Sequence, residues 1–414
     1  MTDFITAAEV LESVEENDVK FIRLAFCDLF GMQKNWSVTR GQLHRVIEQG
    51  MLLEASSING FSGLDTELLR LVPDPATLRA MPWRPQHGRV VRLYCDILSQ
   101  DGSPFEGDSR HLLKQAVSRL QAQGLCVKAG MQCSFYLFMT DENGTPTLVP
   151  HDQGGYLDIA PLDKGENVRR EICLALEEMG IEPVSSRHEQ GPGQHEIHFV
   201  PSDPLRAADD FLTFKAVVKA IAARNGLHAS FMPRPLEDAP QSTMRITLSL
   251  YKDGQNIASG QDKACAALWE RFLAGNLEFA GEMTLLLNPT YSAYARFTGG
   301  APYIKLMGEE NTRRMALNCA DPSLNPYLAL ALILEAGLSG VKEQLCLDTA
   351  GADSFTVSLP EDIAHALEAA RGSAFVRDVL GKGVLAAYMI SKKREWTEIQ
   401  SAQQKVFLNH FYSL

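Results

Sequence analysis

The sequence predicts an α+β protein in two domains, and three observations carry that expectation: its length, a strand-dominated first hundred residues, and alternating strands and amphipathic helices beyond them. A chain of 414 residues exceeds what one hydrophobic core usually organises. Thr6 with Glu9 three positions later forms a capping-box pair and starts a helix. The stretch Phe21 to Leu29 reads as a strand that turns at Gly31, and its polar–apolar alternation continues in Lys34 to Val38 and Arg89 to Ile97, which predicts a small mixed sheet. The turn-rich run Pro104-Phe105-Glu106-Gly107-Asp108 marks a boundary, giving domains of residues 1–103 and 104–414. Asp108 suits a helix N-cap, and Leu112, Leu113, Ala116, Val117 and Leu120 share one face behind it. Two more amphipathic helices carry Val168, Ile172, Ala175, Leu176 and Met179, then Phe211, Phe214, Val217, Val218 and Ile221, the second stopping at Gly226. After Asn325 the pattern is mostly helical, over 326–335, 360–371 and a long segment from Ser373. That segment carries Trp396 and ends in Phe407, Phe411 and Tyr412, aromatics expected to be exposed and to dock on a neighbouring subunit.

Composition narrows the function. With 45% hydrophobic and 22% charged residues the chain reads as globular, and no apolar run approaches a membrane span. The N-terminus lacks a basic stretch followed by an apolar one, so a cytoplasmic protein is expected. A net charge of -12 without a basic stripe argues against nucleic acid as a partner. The eight cysteines are scattered, with no Cys-x-x-Cys spacing, and read as buried free thiols.

The run Arg187-His188-Glu189-Gln190-Gly191-Pro192-Gly193-Gln194-His195-Glu196-Ile197-His198-Phe199 carries the chemistry. Its Gly/Pro turn brings Glu189 back toward Glu196, and the period-2 strand places Glu196 and His198 on the face opposite His195, Ile197 and Phe199. Two carboxylates facing one cavity repel unless a cation or protons sit between them.

This run resembles the His-His-Glu-x-x-x-Gly-Gln-His-Glu signature of glutamine synthetases. So do Gly155-Tyr156-Leu157-Asp158, Asn225 through Pro233, Asn288-Pro289-Thr290, and Asp321-Pro322-Ser323-Leu324-Asn325-Pro326-Tyr327-Leu328. The resemblance implies an N-terminal β-grasp domain and a C-terminal glutamine-synthetase-type catalytic α+β domain whose curved sheet makes a funnel. It also implies homo-oligomeric rings, hexameric or stacked as dodecamers, in which a neighbour's small domain completes each funnel. Enzymes of this family phosphorylate glutamate with ATP and let ammonia attack, using Mg²⁺ or Mn²⁺ held by oxygen and nitrogen ligands.

Position by position, the resemblance leaves that ligand set broken. The acids of the family's Gly-x-Glu-x-Glu-Phe strand are Gln132 and Ser134 here, groups read as filling former metal space with hydrogen bonds, and a ligating histidine is Arg245. A shortened stretch between Asn311 and Asp321 puts Ala316 and Asn318 where a Glu and an Arg stand before Asp-Pro. Thr312 replaces a phosphate-binding arginine, although Arg313 and Arg314 lie nearby. The flap reads Thr298-Gly299-Gly300-Ala301-Pro302, without its glutamate. Glu189 and Glu196 remain as metal acids, Arg296 stands where a substrate carboxylate would pair, and Glu54 precedes Ser56-Ser57 where an aspartate binds ammonium or where it caps a turn.

The expectation is that the Arg245 guanidinium takes over the metal position and pairs with Glu189 or Glu196. The rival is a zinc site from His188, Glu189, Glu196 and His198. The leading functional expectation is a pseudoenzyme without glutamate–ammonia ligase activity. It binds a small amino acid or amine, or acts in nitrogen metabolism by assembling with an active paralogue, and needs no cofactor. The alternatives are altered chemistry on a γ-glutamyl or amine substrate, with Arg245 as electrophile, and an ATP-dependent glutamate–amine ligase that keeps Mg²⁺ or Mn²⁺.

Overall fold

The computed structural model describes residues 6–64, 67–84, 87–259, 262–299, 302–347 and 352–414; the side chains at 296, 298, 299 and 310 lie outside the described set. Helix α1 (Ala7–Glu16) opens as the sequence predicts: the Thr6 hydroxyl accepts from the Glu9 amide at 3.2 Å and the Glu9 carboxylate accepts from the Thr6 amide at 2.5 Å. Strands β1 (Val19–Cys27) and β2 (Gln33–Thr39) form a hairpin, followed by α2 (Leu43–Gln49), β3 (Met51–Glu54), β4 (Leu68–Pro73), β5 (Arg79–Ala80) and β6 (Arg89–Ser99). They make one six-stranded sheet in the order β2-β1-β6-β4-β3 with β5 on β6. Strands β1 and β6 run parallel while β1–β2, β3–β4 and β4–β6 are antiparallel, the mixed sheet expected from the alternation.

The larger unit begins with α3 (Ser109–Gln121), capped by Asp108, which accepts from the Arg110 amide at 3.0 Å. Its spine is the 16-residue strand β7 (Leu125–Thr140), long enough to pair with β8 (Pro146–Pro150), β10 (Gln194–Phe199), β11 (Leu227–Ser230) and β12 (Met244–Lys252). Helix α4 (Glu166–Glu178) precedes β9 (Pro183–His188), and α5 (Pro204–Arg224) follows β10. After β12 come β13 (Gln255–Asn256), α6 (Lys263–Glu278), α7 (Ala280–Leu287), β14 (Ile304–Met307), β15 (Arg314–Ala320), α8 (Pro326–Glu343) and β16 (Ser354–Phe355). The ten-stranded sheet runs β16-β14-β15-β12-β7-β10-β9, with β8 and β11 on β7 and β13 on β12. Its chain closes with α9 (Ile363–Gly372), α10 (Ala374–Leu380) and α11 (Lys382–Ser413).

Strand alternation decides which face of this sheet is core. Phe135 of β7 and Phe199 of β10 pack against Phe214 of α5, edge-on and tilted, and Cys133 and Ile197 on the same face are fully buried. The residues between them, Gln132 on β7, Glu196 and His198 on β10 and Arg245 on β12, face the other way. The two sheets are joined by a buried charge network. Arg110 of α3 donates to Asp209 of α5, to Asp96 of β6 and to Asp74 just after β4, while the Tyr327 hydroxyl donates to Asp209 at 2.6 Å.

The terminal aromatics correct the sequence expectation. A break in helical geometry at Ala402 turns the last stretch of α11 back, and Phe411 is 1% exposed against Phe138 of its own β7. Trp396 packs on the main core, and Tyr412 alone of that group is exposed. Cys27, Cys95, Cys133 and Cys319 are buried as expected, whereas Cys126 and Cys346 are exposed. Among the described residues no helix is long and apolar enough to cross a membrane.

Candidate functional site

The site is built on the β9–β10 hairpin. Its turn closes through the Glu189 amide on the Gln194 carbonyl (2.8 Å) and the Gln194 amide on the Gly191 carbonyl (3.0 Å). Gly193 sits at φ +66°, and a Cβ there would lie 2.7 Å from the Leu137 carbonyl oxygen, so glycine is required on two counts. This turn fixes the register: His195 opposes His188 and Glu196 opposes Arg187. Arg187 therefore stands directly across from Glu196 and two residues before Glu189, on the same face as both.

The guanidinium uses that position. Arg187 Nε lies 2.5 Å from Glu189 Oε1, its terminal nitrogen pairs with Glu196 Oε2, and His198 Nε2 lies 2.9 Å from that same oxygen. Burial drives the Glu196 carboxyl up, but His198 and Arg187 outweigh it and hold the group below its ordinary value. Glu189 is pushed upward, by burial first and by the adjacent Glu196 charge, against the pull of Arg187. Burial opposes the Arg187 charge, and the two carboxylates more than restore it.

The sequence reasoning required a cation between these acids and assigned the wrong one. Arg245 donates through Nε to Asn318 Oδ1 at 3.2 Å and makes no ion pair with Glu189 or Glu196. The reason is placement: Arg245 pairs in register with Gln132, with β7 between it and the hairpin, whereas Arg187 is the cross-strand neighbour of Glu196. Arg187 occupies the first position of the His-His-Glu signature, and hairpin register alone would have found it.

The zinc alternative is also corrected, because its four side chains diverge. His188 turns to the buried side, with Nδ1 on the Glu189 carbonyl oxygen (2.7 Å) and Nε2 on Asp152 (2.9 Å), while His198 stays on Glu196. Among the described residues the one triad of metal-capable groups is Asp152, His188 and His195. Its atoms are already committed. Asp152 Oδ1 accepts from the Gly154 and Gly193 amides and Oδ2 from the Lys164 amide. Arg169, itself bidentate on Asp163, donates to His195 Nδ1 at 2.9 Å, so the neutral imidazole carries its proton on Nε2 and offers no lone pair there. This cluster holds the hairpin in place.

Ser134 is buried and accepts from the Thr243 amide at 2.8 Å, tying β7 to the start of β12. Ala316 is fully buried and offers no ligand atom. Arg313 pairs with Asp353 at 2.6 Å, and Arg314 donates to the Thr312 carbonyl. Glu54 is exposed at the end of β3, makes no side-chain cap to the turn behind it, and lines a groove of about 910 Å³ on the small sheet with Trp36, Leu52 and Ser57. Of the flap, residues 300 and 301 lie outside the described residues, as do the side chains of Arg296 and Thr298.

Beside the Arg187 clamp opens a cavity of about 1030 Å³. Its polar groups include Glu196, Thr243, Arg245, Lys305, Asn318 and Glu361, and Tyr294, Phe297, Tyr303, Val357 and Leu359 form apolar walls. A β-bulge shapes one side: two steps along β12, from Met244 to Ile246, match three along β15, from Ala320 to Leu317. The extra residue turns both Asn318 and Cys319 toward the cavity.

Comparison with known proteins settles the ancestry of this site. Residues 106–410 match the family model for the glutamine synthetase catalytic domain, and residues 18–100 match that for the glutamine synthetase beta-Grasp domain. The chain belongs to the glutamine synthetase family. A glutamine synthetase of Methanosarcina mazei is 38% identical over 438 aligned positions, covering 99% of this chain and 98% of that one. One of Thermus thermophilus is 37% identical, covering 95% and 96%. Among solved structures, ligand-free GmaS superimposes with a TM-score of 0.82 at 27% identity over 97% of each chain. The glutamine synthetase of Plasmodium falciparum shares the fold, with a TM-score of 0.85 at 19% identity.

The family works with Mg²⁺ or Mn²⁺ and ATP, so the donor set here must be tested against those ions. Hard divalent cations take several oxygen ligands, with carboxylates carrying the charge. At the former ligand positions Gln132, Ser134, Arg245 and Ala316 supply no anion, and Glu189 and Glu196 already share a guanidinium. The residues present do not fit a two- or three-ion nucleotide site.

Proposed function

We propose that this family member no longer ligates ammonia to glutamate and uses its large-domain funnel to bind a small amino acid or amine, as a sensor or as a regulatory partner within nitrogen metabolism. The single observation that carries the reading is the Arg187 clamp. A covalently tethered cation pairs with the two acids that would otherwise hold an exchangeable one. Phosphoryl transfer depends on cations that stabilise charge developing on the phosphates, and a guanidinium spent on two glutamates supplies none of that. We further propose that Glu54 meets the funnel only across a subunit boundary in a homo-oligomeric ring, and that Arg245 and Arg296 serve ligand recognition.

Calorimetric titration of the purified protein with ATP and Mg²⁺, followed by an assay for ADP release with glutamate and ammonia, tests the reading. No nucleotide heat and no ammonia-dependent ADP are expected. Micromolar nucleotide binding with ammonia-dependent turnover would overturn it and restore the ligase.

A further inference from the structure

From the cavity beside the clamp we infer the chemical class of its ligand: a carboxylate carried on an apolar or aromatic body. This rests on the reading that the funnel binds a small organic ligand and adds which one it selects. The first observation is charge. Arg245 and Lys305 both line the cavity, and among the described residues neither makes an ion pair. Arg245 has spent only its Nε, on Asn318, which leaves the terminal nitrogens of the fork for a planar anion.

The second observation is placement. Lys305, Ala316 and Thr247 lie in register across β14, β15 and β12, and Arg245 is two residues before Thr247 on the same face of β12. Two strand spacings, about 10 Å, therefore separate the strands bearing the two cations. On β15, Ala316 stands between Lys305 and Thr247, and Asn318, bonded to Arg245, stands two residues further on, so no acid of that strand lies between the two cations. Two cationic side chains lining one cavity with no acid of β15 between them repel each other, and an anion between them removes that repulsion.

The third observation is the wall. Tyr303, just before β14, is two residues from Lys305, and Tyr294, Phe297, Val357 and Leu359 line the same cavity. Tyr294 and Tyr303 are already buried, whereas Phe297, Val357 and Leu359 keep part of their surface accessible, and a ligand without an apolar body would leave that surface uncovered, at about 25 cal/mol per Å². Glutamate, with a second carboxylate at its far end, suits that wall poorly.

Two sources share this chemistry: an apolar α-amino acid and a carboxylic acid without the amine. Glu196 lines the same cavity, so an α-ammonium has an acceptor within it.

Calorimetry of the full chain with L-phenylalanine, 3-phenylpropanoate, 2-phenylethylamine and L-glutamate tests the inference, using wild type, R245Q and the R245Q/K305Q pair. Both cations are exposed on the cavity surface, so the variants should melt with the wild type, and a melting curve run alongside checks this. Phenylalanine or 3-phenylpropanoate should bind, with affinity falling at least tenfold in R245Q and further in the double variant, while phenylethylamine and glutamate bind at least tenfold more weakly. Preference for phenylalanine over 3-phenylpropanoate assigns the amino acid, and the reverse assigns the simple acid; both support the class. Tighter binding of glutamate, equal affinity in the double variant, or no heat from either aromatic carboxylate would overturn it. Adding MgATP to the same samples separates the two claims, since nucleotide binding sinks the proposed function and its absence beside silent carboxylates sinks only this inference.

Discussion

At the scale of single residues, the Arg187 clamp is where this chain departs most from a metal enzyme. Restoring the histidine that the family signature places there leaves Glu189 and Glu196 facing each other without a cation, and two carboxylates in that state attract a divalent ion. The R187H protein should therefore be stabilised by millimolar Mn²⁺, by about 1.4 kcal/mol at ten times Kd, while wild type is unmoved. Saturable Mn²⁺ stabilisation of the wild type in the same thermal melts would show that Arg187 does not close the site. A second residue-scale prediction concerns His195, whose pKa is pushed down to about 3 by burial first and by the Arg169 charge next. Between pH 3 and the ordinary imidazole value the unfolded chain binds more protons than the folded one, so this group's contribution rises with pH and is lost on acidification. H195Q keeps an acceptor for Arg169 but does not titrate. The stability gap between wild type and H195Q should shrink by up to about 1.4 kcal/mol for each pH unit lowered from 6 to 4. A pH-independent gap in denaturant titrations would mean His195 is already charged in the fold. Of these residues, the sequence made Glu189, Glu196 and the need for a cation legible. Arg187 stayed hidden because its role follows from hairpin register, which motif matching does not contain.

At the scale of elements, local signals carried most of the fold. The Thr6–Glu9 box, the Asp108 cap and the stop at Gly226 are each set by a few neighbouring residues, and each appears where it was read. Features set by distant contacts were not legible. The bulge at Asn318 and Cys319 depends on how β15 pairs with β12, and the return of Phe411 onto Phe138 depends on a break at Ala402 with no proline or glycine to announce it. Helix packing offers a sharper test. Gly275 of α6 and Gly340 of α8 bring those helices into backbone contact, and a methyl group on Gly275 would overlap the Ala336 carbonyl oxygen. Alanine at 275 gains roughly 1 kcal/mol of helix propensity. The obstacle is backbone rather than a flexible side-chain end, so overpacking of about 1–3 kcal/mol or more outweighs it. G275A should lower the denaturant midpoint, and an unchanged or raised midpoint would mean the helices separate freely. Phe411→Ala should likewise cost about 3–5 kcal/mol, since the ring is buried in a small aromatic cluster of its own.

At the scale of the whole molecule, the surface left over by these elements argues for assembly. Trp36 and Leu52, 46% and 53% exposed, stand on opposite edge strands of the small sheet and line the same groove as Glu54. Large apolar side chains grouped around one groove mark an interaction surface, and burying each would contribute about 1.5–3 kcal/mol per copy. A second copy of this chain is the occupant expected from the homo-oligomeric relatives, and on the proposal made above it would bring Glu54 to the edge of a neighbour's funnel. Light scattering should then give about 274 kDa for a ring of six 45.7 kDa chains, or twice that for stacked rings. The W36E/L52E double variant should shift toward the mass of one chain, because each charge would have to be buried without a partner. The same variant discriminates the role of Glu54. If the funnel ligand carries an amine that Glu54 helps to hold across the boundary, loss of the ring weakens its binding along with the mass shift. If binding is unchanged in the dissociated protein, the ligand is held by one large domain alone and Glu54 is an edge-strand residue without a part in the site. A wild-type mass of a single chain would remove the neighbour altogether, and with it any route by which residues of the small sheet could reach the cavity beside Arg187.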